Sequence, residues 1–387
     1  MDVMSARRDR RITRTTMRWA TVVLLAPMFV LTACGSSDSS TPTDVATVTP
    51  ATPSSAPAGA AVNPAGRVIA ATGDGGGTQI ALSGDWIGVL SRVEAKSVRL
   101  INRADPSAEQ KIVALPSGFT RMVSVGDGKF LGVGPGLIGE VSTAGVGATA
   151  KLGTNDPTAV ARTADGQIVV GTGNGHVLVL DSAFTQKHDY ASFVRVDNIT
   201  VSPAGADLSS EQVVVLDRAQ SSVTPITLSD GNLGPALRAG NGATNSVVDR
   251  FGRVLVANTR DNEMIGFFGS PLVMRFRYPL AAGPYALDYD DKADLLWVTS
   301  TGDNQVTGFD LGSGEPQQKY RFAAVAQPDS MTVDDSTGTV YVLSTRDGSV
   351  QVVAPADRGA AASSAPSASP AATSAAPTST APTSGTP

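Results

Sequence analysis

This chain of 387 residues has little of several residue types on which many folds and sites depend. It contains one cysteine, Cys34, and two histidines, His176 and His188. A single cysteine excludes a disulfide framework, so the folded part must be stabilised by burial of a core. Two histidines without a second cysteine also exclude the usual tetrahedral zinc site. We place His188 in a loop between strands. We expect the protein to bind neither a metal nor a cofactor.

Basic clusters and long apolar runs are scarce beyond the N-terminal region. The formal net charge is −5, and no later stretch supplies the clustered basic surface that phosphate binding requires. This excludes nucleic acid as a partner. No segment after residue 31 is long and apolar enough to span a membrane. No stretch within 66–355 keeps a 3.6-residue apolar period, so we expect almost no helix there.

The N-terminal region has the features of a secretory signal. Six arginines within residues 7–18 precede the short apolar run "WATVVLLAPMFVL" at 19–31. The following "LTAC" at 31–34 resembles the lipobox of bacterial lipoproteins. That resemblance implies a signal peptide at 1–33, a diacylglycerol on the sulfur of Cys34, and a location on the extracytoplasmic face of the cell membrane. The general secretory and twin-arginine export routes both stay open.

Two segments are built almost entirely of Ser, Thr, Ala and Pro. Residues 34–65 follow the signal, and residues 356–387 end the chain. Such sequences cannot bury enough apolar surface to offset the entropy of ordering the backbone. We therefore predict a disordered tether at 34–65 and a disordered tail at 356–387. Both are plausible targets for O-glycosylation on an exported protein.

The remaining sequence, 66–355, repeats one unit. Residues 283–309 align with 327–353 without a gap, and the identical pairs extend from Pro284 and Pro328 to Val306 and Val350. More divergent copies lie at 76–101, 119–141, 156–180, 198–226 and 243–267. Each copy reads as short strands separated by turns rich in Gly, Asp and Asn. Seven units of this length predict an all-β, seven-bladed β-propeller of four-stranded blades.

The last repeat ends one strand short of a complete blade. The strand-like segment "GRVIAAT" at 66–72 precedes the first repeat and has no blade of its own. We expect it to pair with the last blade and so to close the ring, which removes an open edge. This closure brings the tether and the tail to neighbouring points on the rim.

The best-preserved repeat points to a family. Residues 328–353, "PDSMTVDDSTGTVYVLSTRDGSVQVV", resemble the repeat of YVTN/NHL-type β-propellers. Together with the lipobox, the chain is similar to envelope lipoproteins of actinobacterial type. The resemblance implies the propeller fold and says little about function.

Candidate site residues follow from propeller geometry. The turns between second and third strands, and the links into the first strands, share one face around the channel, which we call the mouth face. We expect on it Asn155, Asp156, Arg260, Asp261, Tyr285, Asp303, Asp329, Arg346 and Asp347. Asp, Asn and Gly are also what tight turns require. Arg260 and Arg346 favour binding more, because a turn does not need arginine and a guanidinium can hold a carboxylate.

Another aspartate recurs on the opposite face. Asp249, Asp290 and Asp334 each end a first strand. A calcium site would need further oxygen ligands from the other blades, which the sequence does not supply at this position. We therefore interpret these carboxylates as caps of their own turns.

These features favour a non-catalytic binding or scaffold protein of the envelope. We expect a monomer that is held to the membrane through Cys34 and binds an envelope protein or a small ligand. The alternative is a propeller enzyme of lactonase or lyase type with a metal in the central channel. Such enzymes resemble this chain in fold, but its few glutamates do not recur at first-strand positions. A third hypothesis is a periplasmic assembly factor of the outer envelope.

Overall fold

The computed structural model describes residues 49–72 and 76–359, and its strands form seven sheets of four antiparallel strands each. The first three blades are β2 (Gln79–Ser83), β3 (Trp86–Leu90), β4 (Ser97–Asn102), β5 (Lys111–Ala114); β6 (Arg121–Gly126), β7 (Lys129–Gly134), β8 (Leu137–Ser142), β9 (Gly145–Lys151); and β10 (Pro157–Arg162), β11 (Ile168–Thr172), β12 (His176–Leu180), β13 (Gln186–Ala191). The next three are β14 (Asn198–Val201), β15 (Val213–Asp217), β16 (Ser222–Ile226), β17 (Leu237–Arg238); β18 (Ala243–Val248), β19 (Val254–Asn258), β20 (Glu263–Phe268), β21 (Val273–Pro279); and β22 (Pro284–Asp290), β23 (Leu295–Ser300), β24 (Gln305–Asp310), β25 (Gln317–Ala323). The seventh comprises β26 (Ser330–Asp334), β27 (Thr339–Leu343), β28 (Val350–Val353) and the N-terminal β1 (Arg67–Ile69). The predicted seven-bladed propeller is confirmed.

Helix is nearly absent from the described residues. It is confined to two 3₁₀ turns, Val93–Ala95 and Pro355–Asp357. No helix in this part of the chain has the length and apolar content that crossing a bilayer requires.

Burial within each blade follows strand position. Every residue of the second strands β11, β15, β19 and β23 is buried, because both faces of these strands are covered by neighbouring blades. This explains the near-continuous apolar and β-branched runs such as "VLVAN" and "LLWVTS". The outermost strands are mostly exposed, as in β9 and β13. His188 lies in the outermost strand β13, opposite Val179, so its prediction as a loop residue was wrong.

The ring is closed by β1, as the sequence predicts. Arg67 pairs with Val352 and Ile69 with Val350 in antiparallel register. The Ile69 side chain is buried in a cluster that includes Tyr341 and Leu343 of the seventh blade. The same cluster contains Ile80 and Ile87 of the first blade, so the closing strand contributes to the core between the first and last blades.

A side chain bonds to the backbone across every junction between neighbouring blades. Counted from the junction between blades one and two, the side chains that form these hydrogen bonds are those of Gln79, Thr120, Thr158, Asn198, Asn245, Asp288 and Ser330. Gln79 is the strongest example, because its amide donates to the Met122 carbonyl at 2.7 Å and accepts from the Met122 N–H at 2.9 Å. The ring is thus joined by hydrogen bonds around its inner circumference as well as by core packing.

Asp288, at the junction between blades six and seven, is the ionisable member of this set. Its carboxylate accepts the Val333 N–H at 2.8 Å and the Tyr289 N–H at 3.0 Å. Burial raises the pKa of Asp288 to about 7, from about 3.9 in an unfolded chain. The folded protein therefore keeps this proton between about pH 4 and 7 while the unfolded chain releases it. The stability that this group contributes is complete below pH 4 and is lost as the pH rises to 7.

We expect Asp288→Asn to remove this part of the pH dependence. Thermal melts of the wild type and the variant between pH 5 and pH 8 measure it, with exposed Asp85→Asn as the control. The variant also replaces one acceptor oxygen by an amide donor, which lowers its melting temperature at every pH, so the slope with pH and not the absolute value is the informative quantity. An unchanged slope in Asp288→Asn would show that the carboxylate does not titrate in this range.

Residues 49–65 lie against the propeller, and we call this segment the strap. The Ala51 N–H donates to the Ala219 carbonyl at 2.9 Å, and Asn304 Nδ2 donates to the Ala60 carbonyl at 2.7 Å. The Ala65 N–H donates to the Ala323 carbonyl at 3.0 Å. On composition these residues belong to the predicted disordered tether, yet backbone carbonyls of blades four and six and the Asn304 amide bind them. Residues 34–48, including Cys34, lie outside the described residues.

The C-terminal segment also continues beyond the last strand. The guanidinium of Arg358 lies 4.5 Å from the ring centroid of Trp297 and 5.6 Å from that of Tyr320. The Arg321 N–H donates to the Gly359 carbonyl at 3.3 Å. The first residues of the predicted tail, 356–359, therefore pack on blade six, and 360–387 lie outside the described residues.

Candidate functional site

A cavity of about 710 Å³ occupies the axis of the ring. The innermost strands of all seven blades line it, because each blade turns its first strand toward the axis. Its polar lining includes the junction residues Gln79, Asn198, Asn245 and Ser330. This is the site where a ligand could contact every blade at once.

Two of the predicted residues, Tyr285 and Asp329, line this cavity. The Tyr285 carbonyl accepts from Asn245 Nδ2 at 2.9 Å, which fixes the backbone that carries the phenol ring. Asp329 accepts from Gln327 Nε2 and Thr345 Oγ1, both at 2.9 Å. Burial raises the pKa of Asp329, and these two hydrogen bonds oppose the rise.

Arg260 and Asp261 lie at the tip of blade five, on the mouth face. Arg260 donates to the Asn241 carbonyl at 2.8 Å and to the Thr52 carbonyl of the strap at 3.5 Å. Asp261 accepts the Asn241 N–H at 2.8 Å and Asn258 Nδ2 at 2.7 Å. Both side chains are exposed, and both form hydrogen bonds within the local turn. Turn formation therefore explains the presence of Asp261. Arg260 differs because it also contacts the strap.

Blades six and seven carry two further carboxylates of the predicted set. Asp303 forms an ion pair with Arg321 at 2.9 Å, and burial raises its pKa while Arg321 opposes that rise. Asp347 accepts the N–H and the hydroxyl of Ser349 at 2.9 and 2.7 Å, as a turn-forming aspartate does.

The remaining predicted residues of the mouth face are Arg346, Asn155 and Asp156. All three are exposed. The Asp156 carbonyl accepts the Gly173 N–H at 3.0 Å, which joins the link into blade three to the turn of that blade. Arg346 makes no hydrogen bond or ion pair within residues 49–72 and 76–359, so its guanidinium is available at the surface.

Sequence reasoning missed the most charged part of the cavity. Arg121 at the start of β6 and Arg218 after β15 both line it, as does Asp197. Asp197 accepts from Arg195 through Nε at 3.1 Å and through a terminal nitrogen at 2.9 Å, and from the Arg218 N–H at 3.0 Å. The sequence gives little signal for this cluster, because Arg121 comes from blade two and the other members from blade four, at a different position within the repeat.

The aspartates of the opposite face cap turns, as predicted. Asp249 accepts the N–H groups of Phe251 and Arg253 at 3.0 and 2.8 Å. Asp290 accepts the Ala293 N–H at 2.9 Å, and Asp334 accepts the Ser336 N–H at 3.1 Å. Within the part of the chain that the structure describes, no three His, Cys, Asp or Glu side chains are grouped as metal ligands would be.

Solved structures share this architecture at low sequence identity. A streptogramin B lyase superposes with a TM-score of 0.61 and 17% identity, covering 74% of this chain and 97% of the lyase chain. A chain of the hydrazine synthase of Kuenenia stuttgartiensis gives 0.61 and 15%, covering 73% and 96%. A chain of the mitotic checkpoint complex gives 0.63 and 12%, covering 78% and 95%. What they share is the fold. No protein-family model and no curated protein matches the sequence.

Proposed function

We propose that this chain is a lipid-anchored, extracytoplasmic β-propeller of the cell envelope that binds an envelope protein or a small ligand and catalyses no reaction. The observation that supports this most is the polar axial cavity of about 710 Å³, lined by all seven blades. A cavity of this size fits a small ligand. The mouth face around it adds exposed guanidinium groups at Arg260 and Arg346, which suit a carboxylate or backbone carbonyl of a partner.

The proposed anchor is Cys34, and its test is the location of the protein. In an actinobacterial host, wild-type protein is expected in the membrane fraction and Cys34→Ala in the soluble extracytoplasmic fraction, because two or three acyl chains provide the membrane affinity. Immunoblots of the separated fractions, with a cytosolic marker, measure this. Equal membrane retention of Cys34→Ala would contradict the anchor.

The proposed partner face is tested by crosslinking on intact cells, followed by mass spectrometry of the captured proteins. We expect Arg260→Glu combined with Arg346→Glu to abolish capture, because two attractive charges become repulsive. Arg275→Glu is the matched control, since Arg275 is exposed on the outer strand β21. Capture that survives the double substitution would exclude the mouth face as the interface. Stoichiometric metal in the purified protein would favour the enzyme alternative.

A further inference from the structure

The axial cavity differs in charge from the chain that encloses it. The whole sequence has a net charge of −5. The charged residues lining the cavity are four arginines and two aspartates, with no lysine, glutamate or histidine among them: Arg92, Arg121, Arg162, Arg218, Asp197 and Asp329. Although the protein is acidic overall, guanidinium groups outnumber carboxylates in the lining of the axial cavity. This excess of positive charge favours an anion there.

The two carboxylates of the lining have hydrogen-bond partners other than the guanidinium groups of Arg121 and Arg218. Asp197 is committed to Arg195, which donates to it from two nitrogens, and to the backbone N–H of Arg218. Asp329 is committed to Gln327 and Thr345. Neither carboxylate accepts a hydrogen bond from the guanidinium of Arg121 or Arg218.

Those two guanidinium groups retain unused donors within the described residues. Arg121 donates once, to the Thr120 carbonyl at 2.8 Å. Arg218 donates from a terminal nitrogen to the Ser54 carbonyl of the strap, and its Nε is buried without a hydrogen-bond partner. A guanidinium has five N–H donors, so most of this capacity is available.

Both guanidinium groups line the same cavity and carry the same charge. Burial lowers the pKa of Arg121, and the next largest cause is the charge of Arg218. Tyr285 and Asp197, which line the same cavity, oppose this effect. An oxyanion between Arg121 and Arg218 would replace repulsion by charge-assisted hydrogen bonds.

We propose that the axial cavity binds a small multivalent oxyanion, organic or inorganic, whose carboxylate or phosphate oxygens accept hydrogen bonds from Arg121 and Arg218. This rests on the proposed binding function and specifies the ligand class. Carboxylate and phosphate oxygens present the same acceptor geometry to a guanidinium. The experiment therefore uses one probe of each kind.

Calorimetric titration of the mature chain carrying Cys34→Ala with citrate, and separately with inorganic phosphate, tests the proposal at low ionic strength. We expect saturable binding of at least one probe with a stoichiometry of one. Arg121→Gln and Arg218→Gln should each weaken it by about tenfold or more, the size expected for a hydrogen bond to a charged group. The Lys variants at both positions should bind with intermediate affinity, because lysine keeps the positive charge but lacks the planar guanidinium that donates two parallel hydrogen bonds.

Exposed Arg238→Gln on β17 is the matched control and should bind as the wild type does. A thermal melt of each variant without ligand verifies that it folds. If a Gln variant does not fold, the affinity of the Lys variant at the same position tests the proposal. Absence of saturable binding of both probes, or equal affinity in the wild type and the Arg121 and Arg218 variants, would overturn the proposal. Continued crosslinking through Arg260 and Arg346 in that case would leave the proposed function standing and remove only the anion site.

Discussion

A chain that begins at residue 73, without β1, is expected to lose about 4–5 kcal/mol or more of its free energy of unfolding. Burial of one isoleucine side chain contributes about 2 kcal/mol, and each hydrogen bond of the three-residue pairing with β28 about 1 kcal/mol. For a domain of this size that corresponds to a melting temperature about 10 °C lower or more. The exposed edge of β28 should also promote aggregation, which light scattering measures.

Substitutions at two neighbouring residues of β1 distinguish the loss of ring closure from a general loss of stability caused by shortening the chain. The Ile69 side chain is 7% exposed, whereas that of Val68 is 41% exposed. Ile69→Ala should therefore cost about 2–4 kcal/mol, and Val68→Ala less than about 0.5 kcal/mol. Denaturant unfolding measures both. A chain starting at residue 64, which lacks most of the strap and keeps β1, should remain close to the wild type. Equal losses in all of these variants would contradict the role of β1 in closing the ring.

Trp297→Ala is expected to lower the free energy of unfolding by about 3–5 kcal/mol. The indole is fully buried in the core between blades six and seven, with Phe322 and Val306 in the same cluster. Gly308 lies on the partner strand, where a Cβ would come within 2.7 Å of the ring, so a small residue there makes room for the indole. Removing the ring leaves a cavity and also removes the surface on which Arg358 stacks.

Denaturant unfolding with two control substitutions tests this result. Trp297→Phe keeps an aromatic ring and should cost less than the alanine substitution. Trp86→Ala removes a tryptophan that is only partly buried on blade one, and should also cost less. A Trp297→Ala protein within about 1 kcal/mol of the wild type would show that this core can collapse around the loss.

The repeat architecture could be predicted because its signals are local. Turn residues separate β-branched runs at a regular spacing, and the buried second strands preserve those runs in blades three to six. The closing strand could be predicted because the last repeat lacked one. The outer strand β13 was missed since it is almost entirely exposed, so no apolar alternation marks it.

The strap and the arginine cluster could not be predicted, because their partners are distant in the sequence. The strap has almost no large apolar side chains, and its position depends on backbone and amide groups of blades four and six. The guanidinium groups of Arg121 and Arg218 face the same axis only because the ring closes. Their positions within the repeats differ, so alignment of the repeats does not bring them together. By contrast, Tyr285 and Asp329 were predicted because their positions alone put them beside the channel.

The path of the strap determines how mechanical load reaches the propeller. Tension at the N-terminal end of the described chain acts first on Ala51 and its bond to Ala219, then on the contacts of Thr52 and Ser54, and then on Ala60. These attachments are loaded one after another, as in peeling, before the pull reaches β1. In this order of loading, the hydrogen bonds of the strap would have to break before tension reached the pairing of β1 with β28.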